Sequence, residues 1–549
     1  MKTKFVILAV LDGWGIAAPN PGNAIYKANT VNMDRLWASY PHTQLEAAGE
    51  AVGLPKSEAG NTETGHINLG AGRIIYQDLA RINMAIADGS FFTNSVLLGA
   101  IEHAKQNNSN LHLMGLIGAG GVHSNIEHIY ALIQIAAKND FNRVYLHLFT
   151  DGRDSPPTSA TTYISELKKV LRKEGIGKIA SIMGRYWGMD RDRRWDRTSK
   201  AYAALVEGQG NLVKSPEEVI EASYAEAKTD EFIDPAIVTD EHGMPISLIS
   251  DNDAVVFYNF RIDRPRQLTA AFLVRDFVEG SLALEFDPYQ EQYEKTHIAQ
   301  RLGKSKEIFV RNKFLSNLYF VTMTRYSDSL VAAGAKVAVN PELVDLPLGR
   351  MISDAAIRQL RVAESEKERF VTFYFNGLRE EAFNGEERVI IPSPQVPTYD
   401  VWPQMSAYQI TDNLTKKMAT GDYAFALINY ANPDMVGHTG SIGPTATACE
   451  VVDECVGKIV NFTLAYGGTF IITADHGNAE ELIKSQTGRV DTEHSTNPVP
   501  FIIVSNNFTG KAQTLPAGIL ADVAPTILNL LDIETPTSMT GRNLLQSMG

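Results

Sequence analysis

The stretch Phe5-Val6-Ile7-Leu8-Ala9-Val10-Leu11-Asp12-Gly13-Trp14-Gly15 opens on seven apolar residues and stops at an acid between small residues. Far along the chain, Phe470-Ile471-Ile472-Thr473-Ala474-Asp475-His476-Gly477-Asn478 has the same form. Short unbroken apolar runs of this kind fit strands buried on both faces, as in a parallel sheet. In open α/β sheets, ligands sit beyond the carboxyl ends of the strands. Asp12 and Asp475 are therefore expected to point into a cleft rather than a core.

Working outward, similar runs occur at 111–117, 144–149, 179–183, 254–260, 318–323, 370–375, 423–429 and 500–504. Amphipathic segments of helix length lie between many of them, at 126–137 and 161–172 for example. Strands alternating with helices predict an α/β protein with parallel sheets. No low-complexity tract or solenoid period interrupts the pattern.

Composition limits the function. The chain has 549 residues, 44% hydrophobic and 21% charged, so it is neither disordered nor collagen-like and can build more than one core. Lys plus Arg total 50 against 64 Asp plus Glu, a net charge of −14. Such a surface repels nucleic acid and anionic membranes. A small anionic substrate would need a local cationic pocket. The two cysteines, Cys449 and Cys455, cannot form a disulfide framework and are expected to be small core side chains in a reducing compartment. No apolar run reaches the ~20 residues of a membrane helix. The charged start followed by 5–11 mimics a signal peptide, but it ends at Asp12-Gly13-Trp14-Gly15 rather than a cleavage site. A buried first strand and a cytoplasmic location are expected.

The chemically suggestive residues fall into two groups. Asp12, Thr62, Asp434, His438, Asp475, His476 and His494 come from the beginning and the last third of the chain. His123, Asp151, Arg153, Asp154, Arg185, Arg191, Arg261 and Arg264 come from the middle. The simplest arrangement is a discontinuous domain, 1–77 with 337–549, carrying an inserted domain, 78–336. The connections are expected near 75–80 and 326–340.

In Asn432-Pro433-Asp434-Met435-Val436-Gly437-His438 the Asp and His are four apart and would share one face of a helical turn. Asp475-His476 lies at a strand end, and His494 adds a third imidazole. Carboxylates with imidazoles and no thiolate suit a borderline divalent ion such as Mn²⁺ or Zn²⁺. So many ligands suit two ions, which could act together on a phosphoryl group. Thr62, in Gly60-Asn61-Thr62-Glu63-Thr64-Gly65, has two readings: a helix cap, which spacing favours, or a covalent nucleophile.

The segment 184–197 carries five Arg among aromatics and acids, and Asn259-Phe260-Arg261-Ile262-Asp263-Arg264 follows a strand. Arg forks bind phosphate and carboxylate bidentately. Nucleic-acid binding is the rival reading; Asp190, Asp192 and Asp196 and the overall charge weaken it. Some of these Arg are expected to serve only salt bridges. Gly118-Ala119-Gly120-Gly121 invites a dinucleotide-loop reading but lacks the full glycine spacing, so a strand-to-turn connection is expected.

Taken together, Leu11 to Gly15, Gly65-His66-Ile67-Asn68-Leu69-Gly70-Ala71-Gly72-Arg73, Asp151-Gly152-Arg153-Asp154, Gly184-Arg185-Tyr186, Asn259 to Arg264, Asn432 to His438 and Thr473 to Asn478 carry a specific resemblance. The chain resembles the cofactor-independent (2,3-bisphosphoglycerate-independent) phosphoglycerate mutases of the alkaline phosphatase superfamily, almost end to end. The resemblance implies a metal-binding phosphatase-like domain with two Mn²⁺ ions and an inserted phosphotransferase domain. It implies that Asp434, His438 and His494 bind one ion, and Asp12, Thr62, Asp475 and His476 the other. Substrate would be bound by His123, Arg153, Asp154, Arg185, Arg191, Arg261, Arg264 and Lys367, the last in a Glu-x-Glu-Lys stretch, 364–367. The implied reaction interconverts 3-phosphoglycerate and 2-phosphoglycerate through phospho-Thr62, without 2,3-bisphosphoglycerate. Asp154 would serve as acid and base and Lys367 would offset phosphoryl charge. The implied partners are small phosphoglycerates only, and the implied state is a monomer. Thr62 stands where the family typically has Ser. The connection from Arg264 to Lys367 is longer than in compact bacterial versions, with the surplus expected around 276–313.

Overall fold

The computed structural model describes residues 3–275, 277, 309–484 and 487–546. Most of the 276–313 stretch expected to hold the surplus length lies outside the described residues. The chain divides into two compact units, Met1–Gln77 with Glu342–Gly549, and Asp78–Pro341. Strand Lys336–Val339 pairs with Tyr319–Thr324, so the second unit extends a few residues past the expected return.

Among the described residues, each unit is built on one eight-stranded sheet. In the first unit the order is Glu386–Ile391, Gln359–Glu364, Phe425–Tyr430, Val6–Leu11, Thr469–Thr473, Val499–Val504, His42–Glu46 and Gly518–Ile519. Val6–Leu11 is central, parallel to both neighbours, and no residue of it reaches solvent. This explains its unbroken apolar sequence: each face needs a hydrophobic side chain. The register sets Val10 beside Asn429 and beside Thr473, so Asp12, Asp434 and Asp475 follow strands that end at the same edge. Val499–Val504 runs antiparallel to its neighbours.

One expected strand is a helix. Residues Phe370–Tyr374 form a single π-helical turn, with the Phe375 N–H bonded to the Phe370 carbonyl at 3.1 Å. A short apolar run does not distinguish strand from buried helix. Here the π turn packs beside helix Thr62–Ala71, with the Phe370 and His66 rings 5.8 Å apart.

In the second unit the order is Lys336–Val339, Tyr319–Thr324, Ala254–Phe257, Leu111–Ile117, Val144–Thr150, Lys178–Gly184, Ala236–Val238 and Asn211–Val213. The strands are parallel except where Lys178–Gly184 meets Ala236–Val238. Helices Ile126–Lys138 and Ala160–Glu174 pack apolar stripes on this sheet's core. Cys449 and Cys455 are buried, unpaired, in helix Ile442–Tyr466. No helix among the described residues is long and apolar enough to cross a membrane.

Candidate active site

In the first unit, Thr62 is the first residue of helix Thr62–Ala71. The capping role that spacing favoured for Thr62 belongs instead to Asn61, whose side chain accepts the Thr64 N–H at 2.9 Å while Thr64 Oγ1 accepts the Asn61 N–H at 3.3 Å. This leaves the Thr62 hydroxyl available. It lies 3.0 Å from His476 Nε2 and receives a hydrogen bond from Lys367 Nζ at 3.2 Å. The positive end of the helix dipole adds to these groups. Gly65 permits the close approach: a Cβ there would lie 2.5 Å from the Asp475 Cβ.

The carboxylates and imidazoles from the two chain ends meet around this hydroxyl. Asp434, His438 and His494 form one group whose ligand atoms lie within 4.8 Å of one another; Asp12, Asp434 and His476 form a second, and Asp12, His66 and Asp475 a third. His438 Nε2 and His494 Nε2 stand 3.2 and 3.3 Å from Asp434 Oδ1 and 3.2 Å from each other. The opposite nitrogens face carbonyls: His438 Nδ1 meets Thr492 O at 2.8 Å and His494 Nδ1 meets Gly60 O at 2.9 Å. A carbonyl only accepts, so each Nδ1 carries a proton, and each ring in its neutral form presents an Nε2 lone pair to the shared point. Asp475 Oδ2 is buried, 3.2 Å from His66 Nδ1 and 3.6 Å from His476 Nε2. Imidazole nitrogens and buried carboxylate oxygens converging on common points fit divalent cations.

Lys367 sits within the same cluster, 2.8 Å from Asp12 Oδ1 and 2.7 Å from Asp434 Oδ2. Burial opposes its charge, but Asp12, Asp434 and Asp475 raise its pKa well above the ordinary lysine value. His476 is pushed up to about 9: burial lowers it, and Asp475, Asp12 and Asp434 outweigh that. Asp475 is held far below its usual range, since His476, His66 and Lys367 overcome the cost of burial.

The second unit gathers the cationic residues. Arg185, almost fully buried, ion-pairs through Nη1 with Asp151 Oδ1 at 2.6 Å and with Asp154 Oδ2. Burial would raise the Asp154 carboxyl, but Arg185, then His123 and Arg264, hold it below its ordinary value. His123 stands 3.8 Å from Asp154 and 3.6 Å from Asp263. Burial first, then Arg185, Arg261 and Arg264, push it down to about 3 despite Asp263, so its imidazole is neutral. Asp263 also holds Arg191 at 2.6 Å and Arg261 at 3.3 Å. Arg264 donates to the Met189 carbonyl at 3.2 Å and is lowered to about 10 by burial and by Arg185 and Arg191. Arg153, Arg185, Arg191 and Arg264 line a cavity of about 290 Å³ with Tyr186 and Phe232. Arg194 and Arg197 pair within the run itself, at 2.8 and 3.6 Å from Asp190.

Residues 82–328 match the family profile described as "BPG-independent PGAM N-terminus (iPGM_N)". The 2,3-bisphosphoglycerate-independent phosphoglycerate mutase of Chloroflexus aggregans is 48% identical over 546 residues, covering 99% of both chains. The protein of that name from Moorella thermoacetica is 46% identical over 540 residues, covering 98% of both. The chain belongs to the 2,3-bisphosphoglycerate-independent phosphoglycerate mutase family. Among solved structures, a Leishmania mexicana phosphoglycerate mutase studied at low cobalt concentration is 30% identical, with a TM-score of 0.63 over 99% of this chain and 98% of that one.

All seven metal-type residues of the sequence meet in the first unit, and the seven other substrate-type residues gather in the second. Lys367, grouped with the substrate residues, lies among the metal-type side chains. Sequence reasoning quoted His66 but gave it no part. It joins the Thr62 carbonyl at 2.9 Å to Asp475 Oδ2 at 3.2 Å, while Asn429 bonds to both His66 Nε2, at 3.1 Å, and Asp12 Oδ2, at 2.8 Å. The spacing of four from Thr62 is the signal for His66; nothing in the strand Phe425–Tyr430 marks Asn429 except its polarity in an apolar run.

Proposed function

We propose that the chain interconverts 3-phosphoglycerate and 2-phosphoglycerate through phospho-Thr62, without 2,3-bisphosphoglycerate. The observation that carries this is the Thr62 hydroxyl: uncommitted to capping, nearly buried, at a helix N-terminus and within reach of Lys367 and His476. Asp434, His438 and His494 would hold one divalent ion, and Asp12, Thr62, Asp475 and His476 a second, with Mn²⁺ the proposed metal. When bound, the ions would lower the pKa of the Thr62 hydroxyl and draw charge from phosphoryl oxygens.

The remaining work belongs to side chains. Thr62 Oγ1 forms the bond to phosphorus as the bond to the substrate's ester oxygen breaks. The Lys367 ammonium and the helix N-terminus offset the charge on the phosphoryl oxygens. His123, Arg153, Arg185, Arg191, Arg261 and Arg264 hold the glycerate and its carboxylate. Asp154 gives a proton to the ester oxygen released in the first half-reaction and, left ionised beside Arg185, takes one back from the hydroxyl that attacks phospho-Thr62. The Thr62 oxygen, its proton given up when the ions bind, would enter and leave the bond to phosphorus unprotonated, so one carboxyl balances the protons of the cycle. The methyl of Thr62 narrows its rotamers, and the one adopted aims Oγ1 at His476 and Lys367.

The inserted unit would supply the substrate site, the discontinuous unit the metal site. We also propose a cytoplasmic monomer whose partners are small phosphoglycerates. Acid quench during turnover followed by peptide mass spectrometry tests the central step. Phosphate on Thr62, absent in Thr62→Ala, is expected; phosphate found only on other residues refutes it.

A further inference from the structure

Three loops carry most of the metal-type residues, and none of the three is regular secondary structure. They follow Asp12, Asp475-His476 and His494. One buried carboxylate connects all three. Glu480 Oε2 accepts the Gly15 N–H at 3.0 Å and the Asn478 N–H at 2.9 Å. Glu480 Oε1 accepts the Ser495 hydroxyl and, at 3.0 Å, the Asn497 Nδ2–H. Gly15 lies three residues after Asp12, Asn478 two after His476, and Ser495 one after His494.

The backbone is shaped to admit this side chain. A Cβ on Gly15 would lie 2.3 Å from the Glu480 carboxyl carbon. On Gly477 it would lie 2.4 Å from both Glu480 Oε1 and Ser495 Oγ. Each loop therefore gives up a side chain or a donor to the same two oxygens. The linkage reaches a further ligand, since Asn478 Nδ2 donates to Asp434 Oδ1 at 3.1 Å. All four donors to Glu480 are neutral, and both its oxygens are occupied, so it is not itself placed to ligate an ion.

We propose that Glu480 is a positioning residue that holds the three ligand loops in register and thereby sets the affinity of the centre for divalent cations. The proposal rests on the metal-centre reading above. Unconnected loops would have to be ordered by the ion itself, and that ordering would be drawn from its binding energy. Groups that orient ligands typically govern affinity by about 10–100-fold.

The test is Mn²⁺ binding to the chelator-stripped full chain, read as free Mn²⁺ by electron paramagnetic resonance, with circular dichroism to verify folding. Glu480→Ala should weaken binding by about 10–100-fold. Glu480→Gln should stay within a few-fold of the parent: its amide oxygen can take the Gly15 and Asn478 N–H groups, its NH₂ can donate to the Ser495 hydroxyl, and Asn497, which loses this acceptor, keeps the Glu481 carboxylate at 3.0 Å. Ser495→Ala, which removes one of the two side-chain tethers from the His494 loop to Glu480, should weaken binding several-fold. Parent-like affinity in Glu480→Ala, or a Gln variant as weak as Ala, overturns the proposal. If Glu480→Ala does not fold, Ser495→Ala decides, and parent-like affinity there overturns it. A parent chain that takes up no Mn²⁺ overturns the metal-centre reading and this proposal with it, whereas failure of the variants alone leaves that reading standing.

Discussion

Replacing Glu364 by Gln should stabilise the folded protein at alkaline pH and do little at acidic pH. Glu364 closes strand Gln359–Glu364, three residues before Lys367, and is fully buried. Burial is the main reason its carboxyl rises from 4.5 to about 7; Glu366 adds repulsion, and the Ser406 N–H and Ser393 hydroxyl oppose the rise. The surrounding groups are Glu366 and Tyr399, the latter donating to Glu366 Oε1 at 2.8 Å. The folded pKa exceeds the unfolded one, so the favourable contribution is complete below 4.5 and is lost as pH rises through 7. At pH 8 this loss is about 3 kcal/mol, and at pH 5 it is under about 1 kcal/mol. Gln keeps an oxygen for the Ser406 N–H, which Glu364 accepts at 2.8 Å, and never ionises. The variant should therefore gain about 2.5 kcal/mol on the parent between pH 5 and pH 8. In a unit of this size that is about 5 °C in melting temperature. Calorimetry of metal-free protein, following whichever transition the substitution moves, measures it. A difference equal at both pH values, or a variant less stable at pH 8, refutes the reasoning.

Three further outcomes are expected. Lys367→Met should lower the stability of metal-free protein by about 3–5 kcal/mol, because Asp12 and Asp434 lose their buried cation, and Mn²⁺ should restore more stability to the variant than to the parent; thermal melts with and without Mn²⁺ read both. Mn²⁺ binding at pH 7 should release protons and tighten as pH rises toward 9, because His476 titrates at about 9 and must be neutral to ligate; titration calorimetry in buffers of different ionisation enthalpy counts the protons, and zero release contradicts the assignment. Arg185→Met should cut kcat/KM by about 100-fold and move the acid limb of the pH–rate profile upward, because Asp154 loses the cation that holds it low; an unmoved limb excludes Asp154 as the titrating base.

The legible parts of the fold were those where burial on two faces leaves sequence no choice. Val6–Leu11 and Thr469–Thr473 are fully buried central strands, and their apolar runs end at the acids that matter. Glu386–Ile391 is half-exposed along its length, with charges a periodicity argument passes over, and Gly518–Ile519 is two residues long. Apolarity also misled: Phe370–Tyr374 reads as a strand but is a π turn, because hydrophobicity reports burial and not backbone geometry. At the site, side chains adjacent to strand ends were legible, and Asp434 with His438 followed from helical spacing. Lys367 entered only by resemblance, because its partners Asp12 and Asp434 lie 355 and 67 residues away. Spacing alone favours a cap at Thr62, although Asn61, the stronger capping residue, precedes it, and only the resemblance points to a nucleophile.

The cap at Asn61 bears on the chemistry. A capping hydroxyl is committed to backbone N–H groups, whereas a residue just inside a capped helix keeps its hydroxyl and gains the dipole. Asn61 therefore does for Thr62 what Thr62 would otherwise do for the helix. The buried carboxylates Asp12, Asp434 and Asp475 demand compensation, and in the metal-free chain Lys367 and His476 provide it. Both of these groups also touch the Thr62 hydroxyl. Divalent cations competing for the same carboxylates would loosen the hold of Asp12 and Asp434 on the Lys367 ammonium. A phosphoryl group arriving at Thr62 would then meet a cation already within 3.2 Å of the attacking oxygen. Charge balance in the resting site and charge stabilisation during transfer thus depend on the same lysine, which is why Lys367→Met should harm the metal-free fold and the reaction together while Mn²⁺ rescues only the first.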